Sequence, residues 1–271
     1  METDAAFSPL HASWYDRWHH SKDYAAEVRQ LQGIFEREGP VDSVLDLGCG
    51  TARHLELLAA AGHRVVGVDR SATMVATAAQ RLAPYGERAE VIEGDLLTLE
   101  LDTTFDAVTM MFSVLGYQVA TKDLLGALRV AHGHLRPGGL LAFDILDGAV
   151  VLRQGPMGGV TVVADGARQL LRATTGALKL DEQIYELRMT LWQLNGDRVV
   201  HHVEEFHPMR FFLQRELELL LRVAGFELLD SAALAGGQGG PSLEWSRLVW
   251  AVRTEPTTTT HPTATIQPET R

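Results

Sequence analysis

Val44-Leu-Asp-Leu-Gly-Cys-Gly-Thr-Ala-Arg-His54 joins an apolar run to a glycine turn and the start of a helix. Val41, Val44, Leu45 and Leu47 give the near-continuous hydrophobic run of a strand buried on both faces, as in a parallel sheet. Gly48 and Gly50 supply a tight turn and a close backbone approach to a ligand. Arg53 to Ala61 reads as a helix stopped by Gly62. That order places a nucleotide-type ligand at the C-terminal end of a parallel strand.

The segments that follow decide which ligand. His63-Arg-Val-Val-Gly-Val-Asp69 reads as a second strand ending in a carboxylate 19 residues after Gly50. An acid there accepts hydrogen bonds from ribose hydroxyls. The third small position of the dinucleotide fingerprint is filled by Arg53, whose bulk argues against a pyrophosphate on the helix. Asp46 would repel phosphate and suits an ammonium group. Val91-Ile-Glu-Gly-Asp95-Leu96 ends a third apolar run, with Asp95 placed to accept from an adenine amino group. Adenine, ribose and an amino-acid tail without phosphate describe S-adenosylmethionine.

On LDLGCGTARH (45–54), VVGVDRSATMV (65–75), VIEGDLL (91–97), FDAVTMMFSVLGY (105–117) and LRPGGLLAFDI (135–145), the chain resembles the class I S-adenosylmethionine-dependent methyltransferases. The resemblance implies a Rossmann-like α/β fold, with a seven-stranded, mostly parallel sheet and helices on both faces. It implies cofactor contacts from Asp46, Gly48, Gly50, Asp69, Arg70, Met74, Asp95, Leu96 and Met111. Ala52 stands where many members carry a further glycine, and its methyl group is expected to trim cofactor affinity.

Around residues 41–146, the cofactor-binding core, the chain adds other parts. Residues 1–40 read as an N-terminal helical lid. Residues 1–12 look mobile, and one helical pattern runs from His11 to Arg37 with Tyr24, Val28, Leu31 and Phe35 on a stripe. Helices near 53–61, 72–83 and 122–134 separate the strands, of which the fourth is Ala107 to Phe112 and the fifth Leu140 to Ile145. Residues 147–210 break the alternation with four strand-like runs, and Asn195-Gly196 between the last two is a hairpin signal. They read as an antiparallel β layer covering the active site. Residues 211–253, with a helix from Leu213 to Ala224, complete the core. Gly236 to Gly240 reads as a flexible loop, and 254–271, rich in Thr and Pro, as a disordered tail.

A net charge of −11 disfavours a nucleic-acid partner. The one cysteine, Cys49, permits no internal disulfide and reads as small-residue packing beside the ligand. With no signal peptide and no apolar run of membrane length, a cytoplasmic location and no membrane partner are expected. Self-association into a homo-oligomer is left open.

The acceptor is to be read from the residues overhanging the methyl group. Trp14-Tyr-Asp-Arg-Trp-His-His-Ser-Lys-Asp-Tyr-Ala-Ala-Glu27 resembles the lid of small-molecule N-methyltransferases acting on amino sugars of antibiotic pathways. By position, Tyr15 would lie close to the sulfonium, with Lys22 and Tyr24 helping to hold the amino-acid end. Met110-Met-Phe-Ser-Val-Leu-Gly-Tyr117 resembles a run that in those enzymes ends in a histidine proposed as a base. Tyr117 takes that place here and, with an ordinary pKa near 10, suits orienting an acceptor better than deprotonating it. Phe112 would form an apolar wall, with Ser113 beside it. Tyr15, Phe112 and Tyr117 are therefore the candidate catalytic residues.

The histidines His19-His20, His132, His134, His201-His202 and His207 show no compact ligand set with a carboxylate, so no metal is expected. His202, Glu204 or His207 would receive a proton only if one face of the hairpin lines the pocket. Glu205-Phe206 reads as ordinary strand alternation, and His207 and Arg210 precede the last large helix. The leading expectation is an N-methyltransferase acting on a small-molecule amine. Alternatives are an O-methyltransferase on a hydroxylated or carboxylated acceptor, and a protein that binds S-adenosylmethionine without turnover.

Overall fold

β1 (Ser43–Leu47) is buried at every residue and pairs in parallel with β2 (Arg64–Asp69) on one side and β4 (Phe105–Met110) on the other. β3 (Ala89–Glu93) adds outside β2, and β5 (Leu135–Asp147) outside β4. β11 (Ser246–Arg253) runs antiparallel to β5 and is itself paired by β10 (Phe226–Ala233). The core order is therefore β3-β2-β1-β4-β5-β11-β10, with strand order reversing beside β1. In open α/β sheets that reversal opens the ligand crevice at the strand C-termini. The computed structural model describes residues 7–236 and 245–254. Residues 1–6, most of the glycine-rich loop and the Thr/Pro-rich stretch from 255 onward lie outside them.

Helices cover both faces. α2 (Tyr24–Glu38), α3 (Arg53–Ala60) and α4 (Ala72–Leu82) pack on one face through Leu31, Leu55, Leu58 and Ala78. α5 (Thr121–Gly133) and α7 (Gln214–Val223) pack on the other through Leu124, Leu128, Leu217 and Leu221.

The single helix expected from His11 to Arg37 is two. α1 (Pro9–Trp18) is separated from α2 by a turn, and Asp23 caps α2 by accepting from the Ala26 N–H. The apolar stripe that suggested one long helix lies within α2 alone. Residues 7–12, expected to be mobile, are ordered. Ser8 caps α1, Leu10 and Ala12 are buried, and the Ser8 N–H donates to Glu205.

After β5 comes a short helix that the sequence pattern does not mark, α6 (Gly148–Gln154), capped by Asp147. Then β6 (Gly159–Asp165), β7 (Arg168–Lys179), β8 (Ile184–Asn195) and β9 (Arg198–Phe212) form an antiparallel meander. Gly196 takes a left-handed φ of +58° between β8 and β9, as the Asn-Gly hairpin signal requires. β9 meets the end of β5 in parallel at Leu146–Phe211 and Asp147–Phe212. The inserted sheet is thus anchored to the core beside the crevice. Leu10 and Trp14 of α1 pack with Leu170, Met189 and Leu191 of the inserted sheet.

Candidate active site

At the end of β1 the chain turns through Gly48 (φ +79°) and Gly50 (φ +54°), a left-handed backbone that suits glycine. A Cβ at Gly48 would lie 2.7 Å from a Val114 methyl group, so space as well as conformation demands glycine. The Gly48 and Cys49 N–H groups donate to the Val68 carbonyl, and the Gly50 N–H donates to Asp69 Oδ2 at 2.9 Å. Asp69 Oδ1 accepts from the Ser71 N–H. The ends of β1 and β2 are thereby locked together. Cys49 fits its expected packing role: its sulfur fills the space beside Gly67, and burial pushes its thiol pKa well up. Ala52 is also left-handed (φ +61°), but its methyl group packs in the core beneath the turn. Its cost is therefore backbone strain, about 1 kcal/mol, and not an intrusion on the ligand.

A cavity of about 440 Å³ opens over this turn, a size usual for small-molecule sites. Gly48, Gly50, Asp69, Arg70, Met74, Asp95, Leu96, Met111, Phe112, Tyr15 and Tyr117 all line it. Asp95 Oδ1 accepts from the Leu97 N–H at 2.8 Å, which fixes the carboxylate at the rim. A niche of about 30 Å³ continues from the cavity, lined by Asp46, Tyr24, Arg53 and His54. Tyr15, Gly48, Gly50, Met111 and Phe112 border both spaces.

The niche holds unsatisfied polar groups. The Tyr24 hydroxyl and Arg53 Nε are buried without a hydrogen-bond partner. Burial pushes the Asp46 carboxyl up to about 6, against a single hydrogen bond from Thr109 at 2.7 Å. Unpartnered donors beside a buried carboxyl in one niche fit the charged amino-acid end of S-adenosylmethionine, since buried polar groups otherwise find partners. Arg53 was expected only as bulk; the strand-turn-helix register, which puts it in the first turn of α3, could have marked it.

Lys22 is placed differently from the expectation. Its ammonium pairs with the buried Glu27 carboxylate, whose other oxygen lies 2.6 Å from His54 Nε2. Lys22 also lies over the Phe112 ring at 4.7 Å, and it borders a second cavity instead of the niche.

That second cavity, about 200 Å³, lies between α1, the core and the inserted sheet. Phe7, Phe112 and Tyr117 border it and the larger cavity alike, so the two spaces meet there. Phe112 (φ +74°) and Ser113 (φ +56°) are both left-handed, a strained conformation that neighbours must hold. Asp144 holds it. The buried carboxylate accepts from the Phe112 N–H, the Ser113 N–H at 3.0 Å and the Ser113 hydroxyl at 3.1 Å. Burial raises its pKa, and Lys22 and Ser113 oppose that. His19 lies against Tyr15 and Phe112 at ring-centroid distances of 4.7 and 4.9 Å. Burial, with His11, Arg172 and Lys22 nearby, lowers its pKa to about 3 and keeps it neutral.

The inserted sheet supplies His207, which the sequence marked on the condition that its face lines the pocket, and Glu205 and Arg172, which the sequence did not mark. Glu205, expected to be ordinary strand alternation, is 2% exposed. One of its oxygens lies 2.7 Å from His11 Nδ1 and 2.8 Å from His207 Nε2, and the other accepts from the Ser8 N–H. Burial would raise its pKa, but these hydrogen bonds hold it far below the usual carboxylate range. His207 Nδ1 in turn lies 3.0 Å from the Tyr117 hydroxyl. The expectation that no histidines gather with a carboxylate is therefore corrected: the ligand-type atoms of His11, Glu205 and His207 lie within 4.8 Å of one another. His202 lies elsewhere, stacked on Trp192. Arg210 pairs with Glu216 and Thr121. Arg172 of β7 lies over Trp18 at 3.9 Å and borders the second cavity, with its Nε buried and unpartnered.

Residues 44–139 match a family model described as a methyltransferase domain. The chain is 29% identical over 236 residues to a dTDP-3-amino-3,4,6-trideoxy-alpha-D-glucopyranose N,N-dimethyltransferase of Streptomyces venezuelae, covering 86% of this chain and 95% of that one. It is 30% identical over 192 residues to the cypemycin N-terminal methyltransferase of a Streptomyces species, covering 70% and 75%. Among solved structures, an S-adenosylmethionine-bound amino pentose methyltransferase from Micromonospora echinaspora superimposes with a TM-score of 0.66 at 22% identity, covering 94% of this chain and all of that one.

Proposed function

This chain belongs to the S-adenosylmethionine-dependent methyltransferases, and from that premise we propose that it methylates the amine of a small molecule, an amino sugar carried on a nucleotide. The observation that carries the reading is the junction of the two cavities at Phe7, Phe112 and Tyr117. A donor site and a second cavity meeting at three side chains suit transfer between two small ligands.

Asp69 would hold the ribose and Asp95 the adenine. Asp46, Tyr24 and Arg53 would receive the amino-acid end in the niche. When bound, the cofactor supplies a methyl group on a positively charged sulfur, an electrophile that needs no metal to activate it. The protein's work is then alignment and exclusion of water. Phe112, held by Asp144, walls the junction with apolar surface, and Tyr15 and Met111 line the cofactor cavity beside it. Tyr15 keeps its hydroxyl proton, because burial pushes its pKa well up.

Two features of the second cavity support an amine on an anionic scaffold. Asp144 borders it as a carboxylate, which favours a nitrogen acceptor over a neutral hydroxyl. Arg172, whose Nε is buried without a partner, would offer a guanidinium to a phosphate group. The Streptomyces venezuelae relative is named for a dTDP-linked amino sugar.

The test is incubation with methyl-labelled cofactor and a panel of nucleotide-linked amino sugars, free amino sugars, and analogues bearing hydroxyl or carboxylate in place of the amine. Transfer to amines, fastest with the nucleotide-linked ones, is expected. Label appearing only on oxygen would replace this reading with the O-methyltransferase, and tight cofactor binding without any transfer would favour the non-catalytic binder.

A further inference from the structure

An ammonium group has no lone pair, so an amine acceptor must shed a proton to attack or to leave as a neutral product. Among the three side chains where the cavities meet, Tyr117 alone is polar. Burial, with Glu205 nearby, pushes its pKa well above the ordinary 10, so the phenol does not ionise by itself. It needs somewhere to send its own proton.

The hydrogen bonds around Glu205 supply the place. A carboxylate only accepts, so Glu205 requires donation from both His11 Nδ1–H and His207 Nε2–H. That assignment leaves His207 Nδ1 as the unprotonated nitrogen, 3.0 Å from the Tyr117 hydroxyl. Both ring nitrogens are then engaged, so His207 borders the acceptor cavity yet reaches the acceptor only through Tyr117.

We propose that Tyr117 and His207 form a two-step proton relay for the acceptor amine, with Glu205 as the positioning residue that fixes the His207 tautomer. The inference rests on the amine reading above. The amine nitrogen bonds to the methyl carbon as the carbon–sulfur bond breaks, and that bond's electron pair stays on sulfur. The nitrogen's surplus proton passes to Tyr117 Oη while the original Tyr117 proton passes to His207 Nδ1. His207 becomes an imidazolium facing the Glu205 carboxylate, and the proton is returned to water between turnovers.

The test measures kcat, acceptor KM and cofactor Kd for Tyr117→Phe, His207→Gln, Glu205→Gln and the double variant Tyr117→Phe/His207→Gln. General-base assistance is worth about 100-fold or more, so each of the first two should lose about that in kcat with cofactor Kd within about twofold. The double variant should lose no more than either single one, because members of one relay are not additive. Tyr117→His should keep substantial activity even when combined with His207→Gln, since its own imidazole then faces the amine. Glu205→Gln should lower kcat more than it raises KM.

Retention of kcat in Tyr117→Phe, or additive losses in the double variant, would overturn the relay. So would chelation that abolishes activity with recovery on one zinc ion per chain, which would make His11, Glu205 and His207 a metal site. Wild-type protein that methylates no amine would instead overturn the underlying reading of function. The two failures are therefore told apart by the wild-type assay.

Discussion

Asp46 shows how one buried side chain ties pH to both folding and ligand. Its pKa is pushed up to about 6 by burial, while in an unfolded chain it returns to its ordinary value near 4. Between those values the folded protein binds more protons than the unfolded one, so the free protein's stability falls as pH rises through this window. Asp46→Asn should flatten that slope in urea unfolding measured from pH 4 to 7. A cofactor ammonium in the niche favours the ionised form, so binding expels a proton. Affinity should then rise about tenfold between pH 5 and pH 7. Titration calorimetry in two buffers of different ionisation enthalpy would see that proton, and its absence would remove Asp46 from the ammonium site. The acids Asp46, Asp69 and Asp95 were legible from sequence because strand ends and the glycine turn fix their spacing. Arg53 was read only for its size, because its pairing with the niche needs Tyr24 from another element.

At the scale of elements, α1 is fastened to the rest of the protein at several points. Glu205 takes the Ser8 N–H and His11, Asp16 joins Thr51 and Arg81, and Trp14 enters the cluster with Leu170, Met189 and Leu191. Trp14 is 4% exposed, and truncating so large a buried side chain removes about 3–5 kcal/mol of packing. Trp14→Ala is expected to speed hydrogen exchange across α1 and cofactor dissociation, while β1 and β4 stay protected. Equal acceleration in β1 would show that α1 and the core unfold as one unit. Helices α3, α4, α5 and α7 were legible because their apolar periodicity has one face to satisfy. The break between α1 and α2 was signalled locally by Ser21-Lys22-Asp23, with Asp23 as cap, but the α2 stripe masked it.

Over the whole molecule, alternating strands and helices, together with the motif order, make the parallel core readable from the chain alone. The inserted β meander is readable as strands, but not for what its faces carry. Strand alternation says that Glu205 and His207 share a face; it does not say that α1 and the turn at Val114–Tyr117 come to lie against it. That meeting is a long-range fact of packing, which is why Glu205 looks ordinary in sequence. The same meeting has a kinetic meaning. Phe7 and Tyr15 of the N-terminal segment border the larger cavity, and Phe7, His11, Trp18 and His19 of the same segment wall the second. If that segment must lift to admit the donor, the second pocket is complete only once it has closed again, and ordered binding is the expected outcome: donor first, acceptor second. On the same premise spent donor leaves by lifting a wall of the second pocket, so each round of transfer is expected to end with both ligands released. If two methyl groups are added to one nitrogen, the singly methylated compound should build up free in solution before the doubly methylated one appears, and a chromatographic time course would follow it.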